Sequence, residues 1–210
     1  MTDTLSSLPP ETVVILVTGL GGEPKDNAGQ ISDWCSWWIR PLCTTLGISG
    51  GNILTYAHND QANLGIAIDR IVKSGKRVLL VGHSFGVSAL AKVCTWIDPA
   101  VLTQLPLIIA LDGVPNQFGD GQNKLEFPPT VHNVTEFRRI EPNLSSHLAP
   151  LIDGTLDGPA WYDIFVWSQE LQQCPGTVRV THYVTASHCG LPMNVSVITD
   201  AVNIMLAAIT

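Results

Sequence analysis

Short runs of apolar residues recur along this chain, and they constrain its fold more than any other feature. Residues 12–17 (TVVILV) are almost entirely apolar, and similar runs stand at 53–56, 78–81 and 107–111. A strand that is apolar at successive positions buries both of its faces, as strands of a parallel sheet do when helices cover them. Two further runs, at 131–140 and 177–185, bring the number of predicted strands to six.

The segments between these strands carry helical periodicity. From Ile31 the apolar residues recur at i, i+3, i+4, i+7, i+8 and i+11, on one stripe of a helix whose last turn we expect Pro41 to interrupt. We expect four further helices. One lies between the second strand and Gly75 and one between Ser84 and Pro99, and the other two start at Pro159 and at Pro192. Alternating strands and helices predict one α/β domain over residues 1–210, with a mostly parallel six-stranded sheet and helices on both faces.

Charge and hydropathy exclude several classes of protein. Only 14% of the residues are charged and 45% are hydrophobic. Disordered segments have too few apolar residues to form a core, so this composition excludes a disordered chain. The net charge is −7 and the largest basic cluster is the pair Arg138 and Arg139, so no nucleic-acid partner is expected. No apolar run approaches the roughly 20 residues of a transmembrane helix. No secretory signal is evident at the start of the sequence, which predicts a cytoplasmic protein or one exported without a cleaved peptide.

The segment Gly82-His83-Ser84-Phe85-Gly86 matches the pattern Gly-x-Ser-x-Gly between the third predicted strand and a helix. A sharp turn at this point exposes the serine hydroxyl at the carboxyl edge of the sheet. The N-terminus of the following helix favours negative charge that develops there. Ser84 is therefore the candidate nucleophile, and the alternative is an ordinary N-cap serine in a glycine-flanked turn. His83 is expected to support the turn.

A serine nucleophile needs a histidine base, and the chain has six histidines. His188 lies between the sixth strand and the last helix, so it should reach the same sheet edge as Ser84. His182 lies within that strand and is expected to pack under a helix. His58 follows the second strand and either lines the site or is a loop histidine. Because His188 acts as a base only when neutral, activity should fall below roughly pH 6 to 7.

Several acids could orient that histidine. Asp112 ends the fourth strand, and the glycine and proline that follow indicate a tight exit turn. Asp153 and Asp157 lie beyond the fifth strand, and Glu141 lies at the end of that strand. Asp112 is preferred because its position at a strand end is the most direct. The other three acids remain alternatives.

The glycine-rich segment 18–22 (TGLGG) follows the first strand. It is not a dinucleotide-binding motif, because Pro24 stands where the third glycine is required. Beside Ser84, this segment can direct the Leu20 amide toward the same point as the Phe85 amide. Two such donors form an oxyanion hole. The cysteines lack the spacing of a zinc site, and neither a metal nor an organic cofactor is expected.

In the order Ser84, Asp112, His188 the chain resembles the α/β-hydrolase superfamily, whose members carry serine, acid and histidine in that order. The resemblance runs from Val13 to the last helix. The chain is similar to small members of the superfamily without a large cap domain, such as compact lipases and cutinase-like esterases. The chain departs from many members at Thr18, where they carry histidine before the oxyanion glycine. An acid after the fourth of these six strands is a minority arrangement that resembles some lipases.

The resemblance implies a serine esterase or lipase that cleaves a small-molecule ester or lipid through an acyl-enzyme. A thioesterase or an amidase uses the same machinery, and a non-catalytic binding module on the same fold is the alternative of a different class. Trp37 points away from the buried stripe of its helix, and Phe118 lies in the loop 113–129. We expect both to wall an acyl pocket near Ser84, against the alternative that the tryptophans are buried in the core.

Overall fold

One six-stranded sheet organises the molecule. The computed structural model describes residues 11–19, 33–114, 125–140, 177–186, 188 and 190–210. The strands are β1 (Thr12–Thr18), β2 (Ile53–Ala57), β3 (Arg77–His83), β4 (Leu107–Leu111), β5 (Asn133–Arg139) and β6 (Val178–Val184). Their order across the sheet is β2-β1-β3-β4-β5-β6, and every neighbouring pair is parallel. The predicted strands and the parallel α/β architecture are confirmed.

Helices cover both faces of this sheet. The described helices are α1 (Asp33–Leu46), α2 (Gln61–Lys73), α3 (Phe85–Cys94), α4 (Pro99–Leu102) and α5 (Val195–Ile209), with 3-10 turns at Gly50–Asn52 and Leu191–Met193. One hydrophobic cluster packs α2, α3 and α4 on one face, and a second packs α1 and α5 on the other. Successive β1 residues alternate between the two clusters, which explains why the strand is apolar throughout.

Three helix boundaries differ from their predictions. α3 ends at Cys94 and does not continue up to Pro99, because the Thr95 and Trp96 amides bond to carbonyls three residues back. α1 continues through Pro41 to Leu46, because Leu42 remains fully buried and its packing outweighs the single backbone hydrogen bond that proline cannot make. The last helix begins after Pro192, because the Asn194 side chain accepts from the first backbone amides of α5. The helix predicted from Pro159 lies outside the described residues. Among the described residues, no helix is long and apolar enough to cross a membrane.

The last strand, β6, lies at an edge of the sheet. Its residues Val178 and Val180 are 62% and 49% exposed. On the same face, the His182 ring is half-buried and stacks on Phe137 of β5, with ring centroids 4.8 Å apart. That His182 packs under a helix stays a prediction, because the helix predicted between β5 and β6 lies outside the described residues.

Candidate active site

Ser84 occupies the turn from β3 into α3, at the carboxyl edge of the sheet. Its φ of 57° and ψ of −124° form a conformation that a residue with a side chain rarely adopts. The Ser84 amide donates to the Leu111 carbonyl at 3.1 Å, and the Ser84 carbonyl accepts from Val87 at 3.1 Å and Val114 at 3.2 Å. These bonds join the strained turn to the end of β4 and hold it in place.

Glycines permit two close approaches at this turn. A Cβ on Gly86 would overlap the Val17 carbonyl, so only glycine lets α3 pack this closely on β1. A Cβ on Gly19 would lie 2.6 Å from the Ser84 Cβ and 3.0 Å from the Ser84 Oγ. The chain that leaves β1 at Gly19 therefore lies directly against the serine side chain, and the rest of the glycine-rich segment, residues 20–22, lies outside the described residues.

Asp112 follows β4 and is fully buried. Its φ is 43°, in the left-handed region that aspartate tolerates better than most residues with a side chain. The Asp112 amide donates to the Phe137 carbonyl at 2.8 Å, which fixes the turn against β5. Ser84 and Asp112 are the non-glycine residues with positive φ in the described part of the chain. Backbone strain of this kind concentrates at functional sites.

The Asp112 carboxylate faces two nitrogen-bearing side chains. His188 Nδ1 lies 2.6 Å from Asp112 Oδ2, and Arg139 Nε lies 3.4 Å from the same oxygen. The Arg139 backbone amide also approaches Asp112 Oδ1 at 3.4 Å. Arg139 is only 3% exposed, so its charge compensates a carboxylate that would otherwise be buried without a cation. Sequence reasoning did not predict this role for Arg139.

His188 lies between β6 and α5 and is buried against the end of β3. With Nδ1 bonded to the Asp112 carboxylate, Nε2 of the neutral ring is its acceptor nitrogen. Hydrogen bonds within the described residues link His188 to Asp112 and His83, and none of them links it to the Ser84 hydroxyl. Such a contact often tightens only when substrate binds.

The other predicted site residues are placed as follows. Phe85 is the first residue of α3, where helix amides lack intrahelical acceptors. The His58 ring lies 5.7 Å from the Phe85 ring, so His58 borders the serine turn. Trp37 is 51% exposed on α1, no described contact joins it to Ser84, and its role in a pocket stays a prediction. The predicted residues outside the described part of the chain are Leu20, Phe118, Glu141, Asp153 and Asp157.

No protein-family model and no curated protein matches this sequence. Similar solved structures include a cutinase from Trichoderma reesei, with 15% identity and a TM-score of 0.38, for which 50% of this chain and 53% of that chain are covered. This chain therefore spans about half the length of that cutinase. Human thioesterase 2 has 9% identity and a TM-score of 0.49, with 94% of this chain and 95% of that chain covered. A cutinase-like protein from Cryptococcus sp. has 15% identity and a TM-score of 0.46, with 97% of each chain covered.

The chain's own geometry decides its fold. The strand that precedes the serine turn, β3, lies between β1 and β4 inside an entirely parallel sheet. Helices pack on both faces of that sheet, and the strained turn opens directly into one of them. This chain therefore has the α/β-hydrolase fold.

Proposed function

We propose that this chain is a serine hydrolase that cleaves carboxylic esters by acyl transfer. The observation that carries the proposal is the 2.6 Å contact between Asp112 Oδ2 and His188 Nδ1. This contact lies at the carboxyl edge of the sheet, where Ser84 directly follows β3. A carboxylate bonded to Nδ1 fixes the tautomer whose Nε2 accepts a proton. The strained turn supports the same conclusion, because its conformation is costly to maintain without a function.

In the proposed reaction the Ser84 hydroxyl attacks the ester carbonyl and His188 Nε2 takes the hydroxyl proton. The Asp112 carboxylate stabilises the imidazolium that forms, and the Phe85 and Leu20 amides donate to the oxyanion of the tetrahedral intermediate. His188 then returns the proton to the departing alkoxide, which leaves an acyl-enzyme on Ser84. Water attacks the acyl-enzyme with His188 again acting as base, and the acid and free serine are released.

The nucleophile is tested with a fluorophosphonate probe and intact-protein mass spectrometry. The wild-type chain is expected to gain one phosphonyl group and Ser84→Ala none. Ser88→Ala is the matched control, because Ser88 is a buried serine of α3 whose hydroxyl donates to the Val114 carbonyl. This control should still be labelled. Labelling that persists in folded Ser84→Ala, or a folded wild-type chain that does not react, would overturn the proposal.

The leaving group is tested with an ester, a thioester and an amide that carry the same acyl chain. The proposal expects the highest kcat/KM with the ester, and a higher value with the thioester or amide would reassign the reaction within the same machinery. The ester activity should be unaffected by EDTA and absent in Ser84→Ala. A metal-dependent ester activity that persists in Ser84→Ala would falsify the mechanism.

A further inference from the structure

His83 lies between an indole ring and the histidine of the candidate site. It is the last residue of β3 and is 7% exposed. Its ring centroid lies 4.8 Å from that of His188 at an interplanar angle of 33°, and 6.0 Å from that of Trp34 at 67°. His83 Nε2 donates to the His188 backbone carbonyl at 3.0 Å. His83 therefore contacts both the ring and the backbone of His188.

Three described side chains hold the segment that carries His188. The His188 ring is held by Asp112, and the His188 carbonyl is held by His83. Four residues further on, the Trp38 indole donates to the Pro192 carbonyl at 2.8 Å. The bond at Nδ1 fixes one point of the His188 ring, and an anchor on the residue's own backbone further limits the direction of Nε2.

A neutral imidazole suits this position. Burial is the main cause that lowers the pKa of His83 to about 3, and the nearby His188 acts in the same direction while Asp112 opposes it. His83 therefore carries no charge at neutral pH. A cation at this site would repel the protonated His188 that the proposed reaction forms, while a neutral ring donates its hydrogen bond without that penalty.

We propose that His83 is a positioning residue that aims His188 Nε2 at the nucleophile through its hydrogen bond to the His188 carbonyl. The inference rests on the proposed serine hydrolase function and assigns a further residue to it. Its role differs from support of the turn alone, because His83 acts on a residue 105 positions away in the sequence.

Two variants separate the hydrogen bond from the ring. His83→Phe keeps a planar ring against His188 and removes the donor, and His83→Gln keeps an amide donor at a similar distance along the side chain. We expect kcat to fall on the order of ten- to a hundredfold in His83→Phe, since small misplacements of catalytic groups have effects of this size. KM should stay within about twofold, and His83→Gln should recover most of kcat. His132→Phe is the matched control and should resemble wild type. His132 lies just before β5, at the amino edge of the sheet, whereas Ser84 lies at the carboxyl edge.

A double-mutant cycle tests whether His83 acts through His188. His188→Ala is expected to leave a small residual ester activity, and adding His83→Phe to it should change that activity by less than about twofold. If His83 instead shapes the serine turn, the double variant will lose further activity and will react more slowly with the fluorophosphonate. Circular dichroism and thermal unfolding establish that each variant is folded.

The outcomes distinguish this inference from the proposed function. A folded His83→Phe with wild-type kcat, or a His83→Gln as impaired as His83→Phe, would overturn the positioning role while probe labelling of Ser84 continues. Loss of the proposed function itself would appear in the wild-type chain, as absence of labelling or of ester turnover. If His83→Phe does not fold, His83→Leu, which also removes the donor, replaces it in both comparisons, and a folded His83→Leu with wild-type kcat would overturn the positioning role.

Discussion

Replacing Gly19 by alanine is expected to displace Ser84, the proposed nucleophile, and leave the fold intact. Gly19 follows β1 directly, and a Cβ there would lie 2.6 Å from the Ser84 Cβ and 3.0 Å from both the Ser84 Oγ and the His83 carbonyl oxygen. Non-bonded carbon atoms rest about 3.5 to 4.0 Å apart, so the two Cβ atoms must separate by about 1 Å. A rotamer change cannot relieve this contact, because a Cβ moves only with its backbone.

The backbone of Ser84 has little freedom to move without cost. Its amide is bonded to the Leu111 carbonyl, its carbonyl accepts from Val114, and its φ is already 57°. A displacement of about 1 Å at a catalytic group costs on the order of a hundredfold in rate. A hundredfold change corresponds to about 2.7 kcal/mol of activation free energy. We therefore expect kcat/KM of Gly19→Ala to fall about a hundredfold.

The assay combines ester kcat/KM with the second-order rate of fluorophosphonate labelling, because both report attack by Ser84. Gly65→Ala is the matched control. Gly65 lies inside α2, and a Cβ there would lie 3.4 Å from Val93 Cγ1. Alanine is favoured over glycine inside a helix by about 1 kcal/mol. This control should be active and at least as stable as wild type. Gly86→Ala, which would overlap the Val17 carbonyl, should instead destabilise the fold.

Two results would refute the steric reasoning for Gly19. A folded Gly19→Ala that keeps kcat/KM and the labelling rate within threefold of wild type would show that the chain after β1 accommodates the methyl group. A variant whose free energy of unfolding falls as much as that of Gly86→Ala would show that strain is absorbed by the fold and not by Ser84.

Two further predictions concern the acid and the pH dependence of stability. Asp112→Asn should lower kcat about ten-thousandfold, the size of this change in a Ser-His-Asp triad, while Asp153→Asn should resemble wild type; a loss only in Asp153→Asn would reverse the assignment. The pKa of His83 is lowered to about 3, so between pH 6.5 and 3 the unfolded chain binds a proton that the native chain does not. The free energy of unfolding should therefore fall as pH decreases, by about 2 kcal/mol at pH 5 from this residue alone. Urea unfolding at pH 7.5 and 5.0 should show a smaller fall in His83→Gln, and an equal fall in both proteins would contradict the assignment.

Much of the fold is predictable from the sequence because its signals are local. The strands are continuous apolar runs, and a run buried on both faces has few alternatives to a helix-covered parallel sheet. The serine turn is also local, since its glycines and its strand-to-helix context lie within a few residues of Ser84. Asp112 was preferred over three other acids on the same basis, because it directly follows a strand.

The remaining features depend on contacts between distant parts of the chain. Nothing near His83 in the sequence indicates that it bonds to His188, and nothing near Arg139 indicates that it faces Asp112. The exposure of β6 follows from its place at the edge of the sheet, which strand periodicity does not reveal. Pro41 shows the same limit, because the packing of α1 on the sheet overrides a local signal for a helix end.

The described contacts divide the candidate site into a part built on the sheet and a part that reaches it from outside the strands. In the pairing of β3 with β4, His83 is opposite Leu111, so Ser84 and Asp112 are the next residues of two adjacent strands. The Ser84 amide bonds to the Leu111 carbonyl and the Asp112 amide to the Phe137 carbonyl, so the proposed nucleophile and acid are both extensions of one sheet. An acid on the neighbouring strand thus needs no long loop to reach the histidine.

His188 forms the second part, because it lies between β6 and α5 and reaches the site from outside the strands. Hydrogen bonds to Asp112 and His83 fix its ring and its carbonyl, and the Trp38 indole holds the chain beyond it. Substitutions in the sheet should therefore impair folding and activity together. Substitutions that remove a hydrogen bond to His188 and keep the volume of a buried side chain, such as Asp112→Asn and His83→Phe, should instead impair kcat while the fold persists.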